Sequence, residues 1–147
     1  MRAFIAIDLP EDLRQSLAGL QQQLGTSGGD ISWVRPEQLH LTLKFLDEIS
    51  ETQRQQVEQF LTRIAREISP ITLSLEGLGA FPSIKDPRIL WVGVKEGKSA
   101  VVHLAELIEQ ESRALELKQE TRAYSAHVTI GRVRSSRGHE ILSKVLR

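Results

Sequence analysis

One repetition restricts this chain more than any other feature. His40-Leu41-Thr42-Leu43 and His127-Val128-Thr129-Ile130 stand 87 positions apart, each inside an apolar run. The same shift of 87 lays Ile5 on Val92, Leu17 on Leu104 and Leu20 on Leu107 without a gap. Each half therefore reads as strand, amphipathic helix, then a strand carrying His-x-Thr, which predicts a duplicated unit. The chain holds four histidines and seven threonines among its 147 residues. From that composition only about 0.2 His-x-Thr pairs are expected by chance, and two in matching surroundings argue for function over accident.

Strand geometry sets what the pairs can do. Residues two apart share a face, so His40, Thr42 and Lys44 point one way while Leu41, Leu43 and Phe45 point the other. His127 and Thr129 likewise oppose Val128 and Ile130. Each half thus offers an imidazole beside a hydroxyl on a rigid element.

The flanking sequence supplies the remaining elements. Phe4–Ile7 is a short buried-strand run. Pro10, with Glu11 and Asp12, opens a helix striped by Leu13, Leu17, Leu20 and Leu24, which ends at Gly25–Gly29. Ser50 and Gln53 form a capping-box signature for a helix striped by Val57, Phe60, Leu61, Ile64 and Ile68. Strict alternation predicts a strand over Ile71–Leu75, and the glycines and prolines of Gly77–Arg88 predict a loop. A strand over Ile89–Val94, a helix after Ser99 and a last strand over Tyr124–Val133 complete the series.

Charge and composition narrow the partner. Lysine plus arginine equals aspartate plus glutamate, 19 against 19. A chain gripping a long stretch of nucleic acid carries a basic excess, so a nucleic-acid partner here is small or held by a local patch. There is no cysteine, which removes disulfides, thiolate metal sites and thiol nucleophiles. Asp8 and Pro10 interrupt the N-terminal apolar run, so no signal peptide is read there. No segment approaches the ~20 apolar residues of a membrane span. The expectation is a soluble, cytoplasmic protein with no membrane partner.

Neither motif has the His-x-His or His-Glu-x-x-His spacing of a metal pair. Two imidazoles titrating near neutrality can serve as one base and one acid. Threonine hydroxyls can donate to an anion held between them. A phosphodiester suits such a site, with water entering on one side and an ester oxygen leaving on the other.

Here the sequence resembles the 2H phosphoesterase superfamily, and within it the RNA 2′,3′-cyclic phosphodiesterases, also called 2′-5′ RNA ligases. The resemblance is carried by Arg2–Pro10, by Trp33-Val34-Arg35-Pro36-Glu37-Gln38-Leu39-His40-Leu41-Thr42-Leu43-Lys44-Phe45-Leu46, and by Tyr124-Ser125-Ala126-His127-Val128-Thr129-Ile130-Gly131-Arg132. It implies an α+β fold of two pseudo-symmetric lobes, each an antiparallel sheet with helices on its outer face and the active-site cleft between them. It implies one domain over 1–147 and a metal-independent, cofactor-free hydrolysis of cyclic phosphate on RNA 3′ ends or small cyclic nucleotides. His40 would be the acid that protonates the departing 3′ oxygen and His127 the base that activates water. Thr42 and Thr129 would hold the phosphate. Arg132 would stabilise phosphate charge, although strict alternation turns it away from His127, so that role needs a bend or bulge at Gly131.

Three positions depart from the family pattern, which has glycine at Asp47, phenylalanine at Tyr124 and proline at Ala126. The family also continues for some tens of residues with further strands, so the resemblance implies a short or truncated member. Two other readings stay open: 2′-5′ ligation by the same acid and base, and a nucleotide-binding module without turnover. Lys44 is equally a phosphate contact or a solvated lysine. Trp33 and Phe81 are expected in the core, with base stacking the second reading. Arg132, Arg134 and Arg137 form a basic cluster, and His103 and His139 receive no role.

Overall fold

Helices form where the apolar spacing places them. The computed structural model describes residues 1–26, 29–138 and 146. In chain order these form β1 (Arg2–Asp8), α1 (Glu11–Gly25), β2 (Ile31–Trp33), a 3-10 turn (Pro36–Gln38), β3 (His40–Glu48) and α2 (Glu51–Glu67). Then come β4 (Leu75–Pro82), β5 (Pro87–Val94), α3 (Lys98–Ala114) and β6 (His127–Val133). The fold is α+β, with three helices and two antiparallel sheets, as the sequence led us to expect.

The chain groups into two compact units. The first comprises residues 1–7, 42–74 and 95–126, and holds α2 and α3 with β1 and most of β3, which pair as a two-stranded sheet. Ser50 caps α2 through the anticipated box: its hydroxyl accepts from the Gln53 N–H at 3.1 Å, and its own N–H donates to Gln53 Oε1 at 2.8 Å. Val57, Phe60 and Ile64 of α2 are buried, as are Val101, Leu104, Ala105 and Ile108 of α3. Gly97, not Ser99, precedes α3, with φ of 84°. A Cβ there would stand 2.4 Å from the Thr72 carbonyl oxygen, so only glycine fits. Phe4 and Phe45 remain largely exposed, their rings 6.2 Å apart.

The second unit comprises residues 8–41, 75–94 and the chain from His127. It contains α1 and a four-stranded antiparallel sheet in the order β2-β6-β5-β4. Leu17 and Leu24 of α1 are buried, with Gln21 between them. That amide is satisfied: its nitrogen donates to the carbonyls of Val34 at 2.8 Å and Ile130 at 2.9 Å. Leu90, Val92 and Val94 of β5 are buried with Val128 and Ile130 of β6.

Positions related by the 87-residue shift match in burial. Ile5 and Val92 are both buried, as are Leu17 and Leu104, while Leu20 and Leu107 are both half-buried. β3 and β6 run through the same burial pattern over their first six residues.

The stretch between α2 and β5 corrects the sequence reading. Of Ile71–Leu75, expected as a strand, only Leu75 enters β4. Gly77–Arg88, expected as a loop, contains most of β4 and the start of β5. The glycines that suggested a loop are needed inside the strand. Gly77, with φ of 87°, lies where the β4–β5 register shifts, and a Cβ on Gly79 would stand 2.2 Å from the Trp91 indole.

Candidate active site

β6 carries three of the expected site residues, and its register decides where they point. Against β5, His127 pairs with Gly93, Val128 with Val92 and Thr129 with Trp91. The register then shifts: Leu90 pairs with Gly131 and Ile89 with Arg132, leaving Ile130 as an extra residue. Directly opposed residues of an antiparallel pair share a face. Ile89, Trp91 and Gly93 alternate along one face of β5, so Arg132, Thr129 and His127 all lie on that face. The bulge at Ile130 supplies the change of parity that Arg132 requires.

Burial follows the same logic. Val128, Ile130 and Gly131 are buried, His127 and Thr129 are half-buried, and Arg132 is exposed. Gly131 is fixed by its neighbours, since a Cβ there would meet Ile31 Cγ2 and Trp33 Cε3, each at 2.9 Å. Trp33, half-buried, therefore packs against the buried face of β6, beside the core rather than wholly within it.

Phe81 does not follow its expectation. It is half-buried on β4, and its ring meets the His127 imidazole edge-to-face, with centroids 5.1 Å apart and planes at 86°. Trp91 lies 6.0 Å from the same imidazole and 5.3 Å from Phe81. Two aromatic rings thus border His127 on the face that also presents Thr129 and Arg132. The sequence reading placed Trp91 only in a strand over Ile89–Val94 and gave it no role. Gly79, directly opposite on β4, leaves room for the large ring.

His40 opens β3, half-buried, with Thr42 two residues on and likewise half-buried. Leu41 between them is wholly buried. The division into units falls here: His40 groups with His127, Thr129 and Arg132, and Thr42 with the other unit. The strand alternation thus turns His40 and Thr42 out of the core as anticipated.

Lys44 is not a solvated lysine. Its side chain is 5% exposed, and its ammonium donates to Glu109 Oε2 at 2.5 Å. The other Glu109 oxygen accepts the Glu120 N–H at 2.9 Å. Burial pushes the Glu109 carboxyl up, but the Lys44 hydrogen bond, the Glu120 N–H and the charges of Lys44 and Arg113 outweigh it and hold the group low. Tyr124 is half-buried, and its hydroxyl donates to the Thr42 carbonyl at 2.6 Å. Burial pushes that phenol up to about 12.

The basic cluster divides. Arg134 Nε donates to Asp30 Oδ1 at 3.0 Å, and Arg137 lies 3.8 Å from the same oxygen. Ser135 donates to Asp30 Oδ2 at 2.8 Å, and this hydrogen bond, with the two arginine charges, holds the Asp30 carboxyl low against a smaller burial effect. Arg134 and Arg137 thus close the loop beside β2, whereas Arg132 is directed to the histidine face. His103 is exposed on α3, and His139 lies outside the described residues. Among the described residues no cluster of three histidines or carboxylates could hold a metal ion, and no helix is long and apolar enough to cross a membrane.

Known proteins resemble this chain in sequence and in fold. The sequence profile of the LigT-like phosphoesterases matches residues 7–91. The RNA 2′,3′-cyclic phosphodiesterase of Archaeoglobus fulgidus is 35% identical over 135 residues, covering 91% of this chain and 73% of the relative. That of Methanothermobacter thermautotrophicus is 32% identical over 146 residues, covering 99% and 78%. Among solved structures, TT0787 of Thermus thermophilus superposes with a TM-score of 0.73 at 27% identity, covering 92% of this chain and 75% of that one. Escherichia coli LigT in its apo form gives a TM-score of 0.73 at 25% identity, covering 91% and 73%.

Proposed function

Because this chain belongs to the LigT-like phosphoesterases, we propose that it hydrolyses the 2′,3′-cyclic phosphate of RNA 3′ ends or small nucleotides to a 2′-phosphomonoester. The chain is an enzyme, a phosphodiesterase of the hydrolase class. The observation that carries the reading is the bulge at Ile130, which gives His127, Thr129 and Arg132 a common face. A base, a hydroxyl donor and a cation on one face match the needs of a phosphoryl centre that gains a nucleophile while its oxygens carry charge.

In this reaction His127 takes a proton from water as the water oxygen bonds to phosphorus. The bond from phosphorus to the 3′ oxygen breaks, and His40 delivers its proton to that oxygen. Thr42 and Thr129 donate to non-bridging oxygens, and Arg132 stabilises their charge. Phe81 and Trp91, beside His127, suit the face of a nucleobase, and such stacking contributes about 1–3 kcal/mol per base. This favours nucleotide phosphodiesters over cyclic phosphates without a base. We read the repeated strand-helix-strand order as a duplication inside one phosphoesterase domain.

The test is turnover of a 2′,3′-cyclic mononucleotide in the presence of a chelator. We expect the 2′-phosphomonoester as product, with undiminished rate. His40→Ala and His127→Ala should each lower kcat by about 10²- to 10⁴-fold and remove opposite limbs of a bell-shaped pH profile. A 3′-phosphate product, or activity abolished by the chelator, would overturn the assignment. Supplying a 5′-hydroxyl RNA in the same assay reports on joining in the reverse direction.

A further inference from the structure

Between α3 and β6 the chain runs from Leu115 to Ala126 with no regular element. This connection is nevertheless tied to β3 at two points directly and at a third through Glu109 of α3, all within the first unit. Lys118 donates to Asp47 Oδ2 at 2.9 Å. The Glu120 N–H donates to Glu109 at 2.9 Å, and Glu109 in turn accepts from Lys44. Last, the Tyr124 hydroxyl donates to the Thr42 carbonyl at 2.6 Å. As the connection advances from 118 to 124, its direct anchors on β3 retreat from 47 to 42, with Lys44 reached between them only through Glu109. The connection is therefore a strap laid antiparallel along β3, fastened by side chains rather than by a backbone ladder.

We infer that the Tyr124 hydroxyl is a positioning group for Thr42, and that through it the strap sets the phosphate-holding hydroxyl of the first His-x-Thr motif; this rests on the function proposed above. Three features support it. The bond is made to the backbone of the motif residue itself. A phenylalanine at 124 would fill the same space, so the hydroxyl adds only the hydrogen bond. Burial keeps the phenol protonated well beyond neutral pH, so it remains a donor throughout the pH range in which histidine chemistry operates. The next residue of the motif face, Lys44, is itself held by Glu109. Thr42 is thus held at its own carbonyl, with a second tether two residues on at Lys44, and removing the Tyr124 hydrogen bond loosens the φ and ψ that aim its side chain.

The decisive experiment is a double-mutant cycle between Tyr124→Phe and Thr42→Val, read as kcat and KM on a 2′,3′-cyclic mononucleotide. Tyr124→Phe should raise KM about fivefold and change kcat by less than about twofold, because a phosphate hold lost in ground and transition states alike appears in KM. In the Thr42→Val background the same substitution should have no further effect. Multiplicative effects in the double variant, or an unchanged KM in Tyr124→Phe, overturn the proposal. Amide hydrogen exchange judges the strap without turnover: Leu43 and Lys44 should exchange faster in Tyr124→Phe while the α2 amides keep their rates. Equal exchange at Leu43 and Lys44 overturns the inference whatever the kinetics, whereas a wild-type chain with no turnover and faster exchange in the variant sinks only the parent function.

Discussion

Ile130 decides the chemistry available on β6, although it is itself wholly buried. Because it is the unpaired residue of the bulge, the guanidinium two positions later emerges on the histidine side of the sheet. Arg132→Ala should therefore lower kcat/KM by about 10- to 100-fold, the cost of one charge-assisted hydrogen bond to phosphate, and Arg132→Lys should recover part of it. A variant with wild-type kcat/KM would remove Arg132 from the site. At this scale the sequence was most legible where a pattern occurred twice. His40, Thr42, His127 and Thr129 could be picked out because strand parity and the 87-residue shift agree on all four. Gln21 was illegible inside an apolar stripe, since the two carbonyls that satisfy it belong to residues 13 and 109 positions away.

Among the elements, those fixed by local chemistry were read correctly. α2 has its cap, its stripe and its stop within its own sequence. β4 was misread because its identity depends on β5: Gly79 looks like a breaker until the Trp91 ring is laid across it. β2 went unread because three residues are too few to show a period, and its pairing with β6 spans about a hundred positions. The junction of β3 with α3 is likewise a tertiary feature, made by the Lys44–Glu109 pair. Its pH dependence follows from the depressed Glu109 carboxyl. A group held below its unfolded value, roughly pH 4.3 for glutamate, contributes stability that is present above that value and is lost as pH falls through the folded one. Wild-type protein should thus lose stability on acidification below about pH 4.3, and Glu109→Gln should lose less over that interval while starting less stable at neutral pH. Chemical denaturation at stepped pH measures both, and parallel curves for the two proteins would contradict the assignment.

For the molecule as a whole, balanced charge limits how substrate is held. With 19 basic and 19 acidic residues, affinity for a short RNA end should come from the few groups at the reacting phosphate. Contacts to about two phosphates give a single-strand salt slope near −1.4, so KM should rise less than about tenfold between 50 and 200 mM salt. A rise of a hundredfold or more would point to a longer phosphate track than β6 offers. The α+β class was foreseen from the sequence, whereas the make-up of the two units was not. α1 follows β1 in the chain, yet it belongs to the unit of the other sheet. Apolar stripes give each helix a face to bury without saying which sheet will cover it.

The strand order β2-β6-β5-β4 also has a consequence for synthesis on the ribosome. Both neighbours of β6 are translated before it, β2 by almost a hundred residues. Until His127–Val133 emerges from the exit tunnel, β2 and β5 each present an open ladder and Gln21 has only one of its two acceptors. The nascent chain must therefore carry the hairpin of β4 and β5 unfinished, and the histidine face is created in the same event that closes the sheet. A polypeptide released before that point has neither a complete sheet nor the face that presents His127, Thr129 and Arg132.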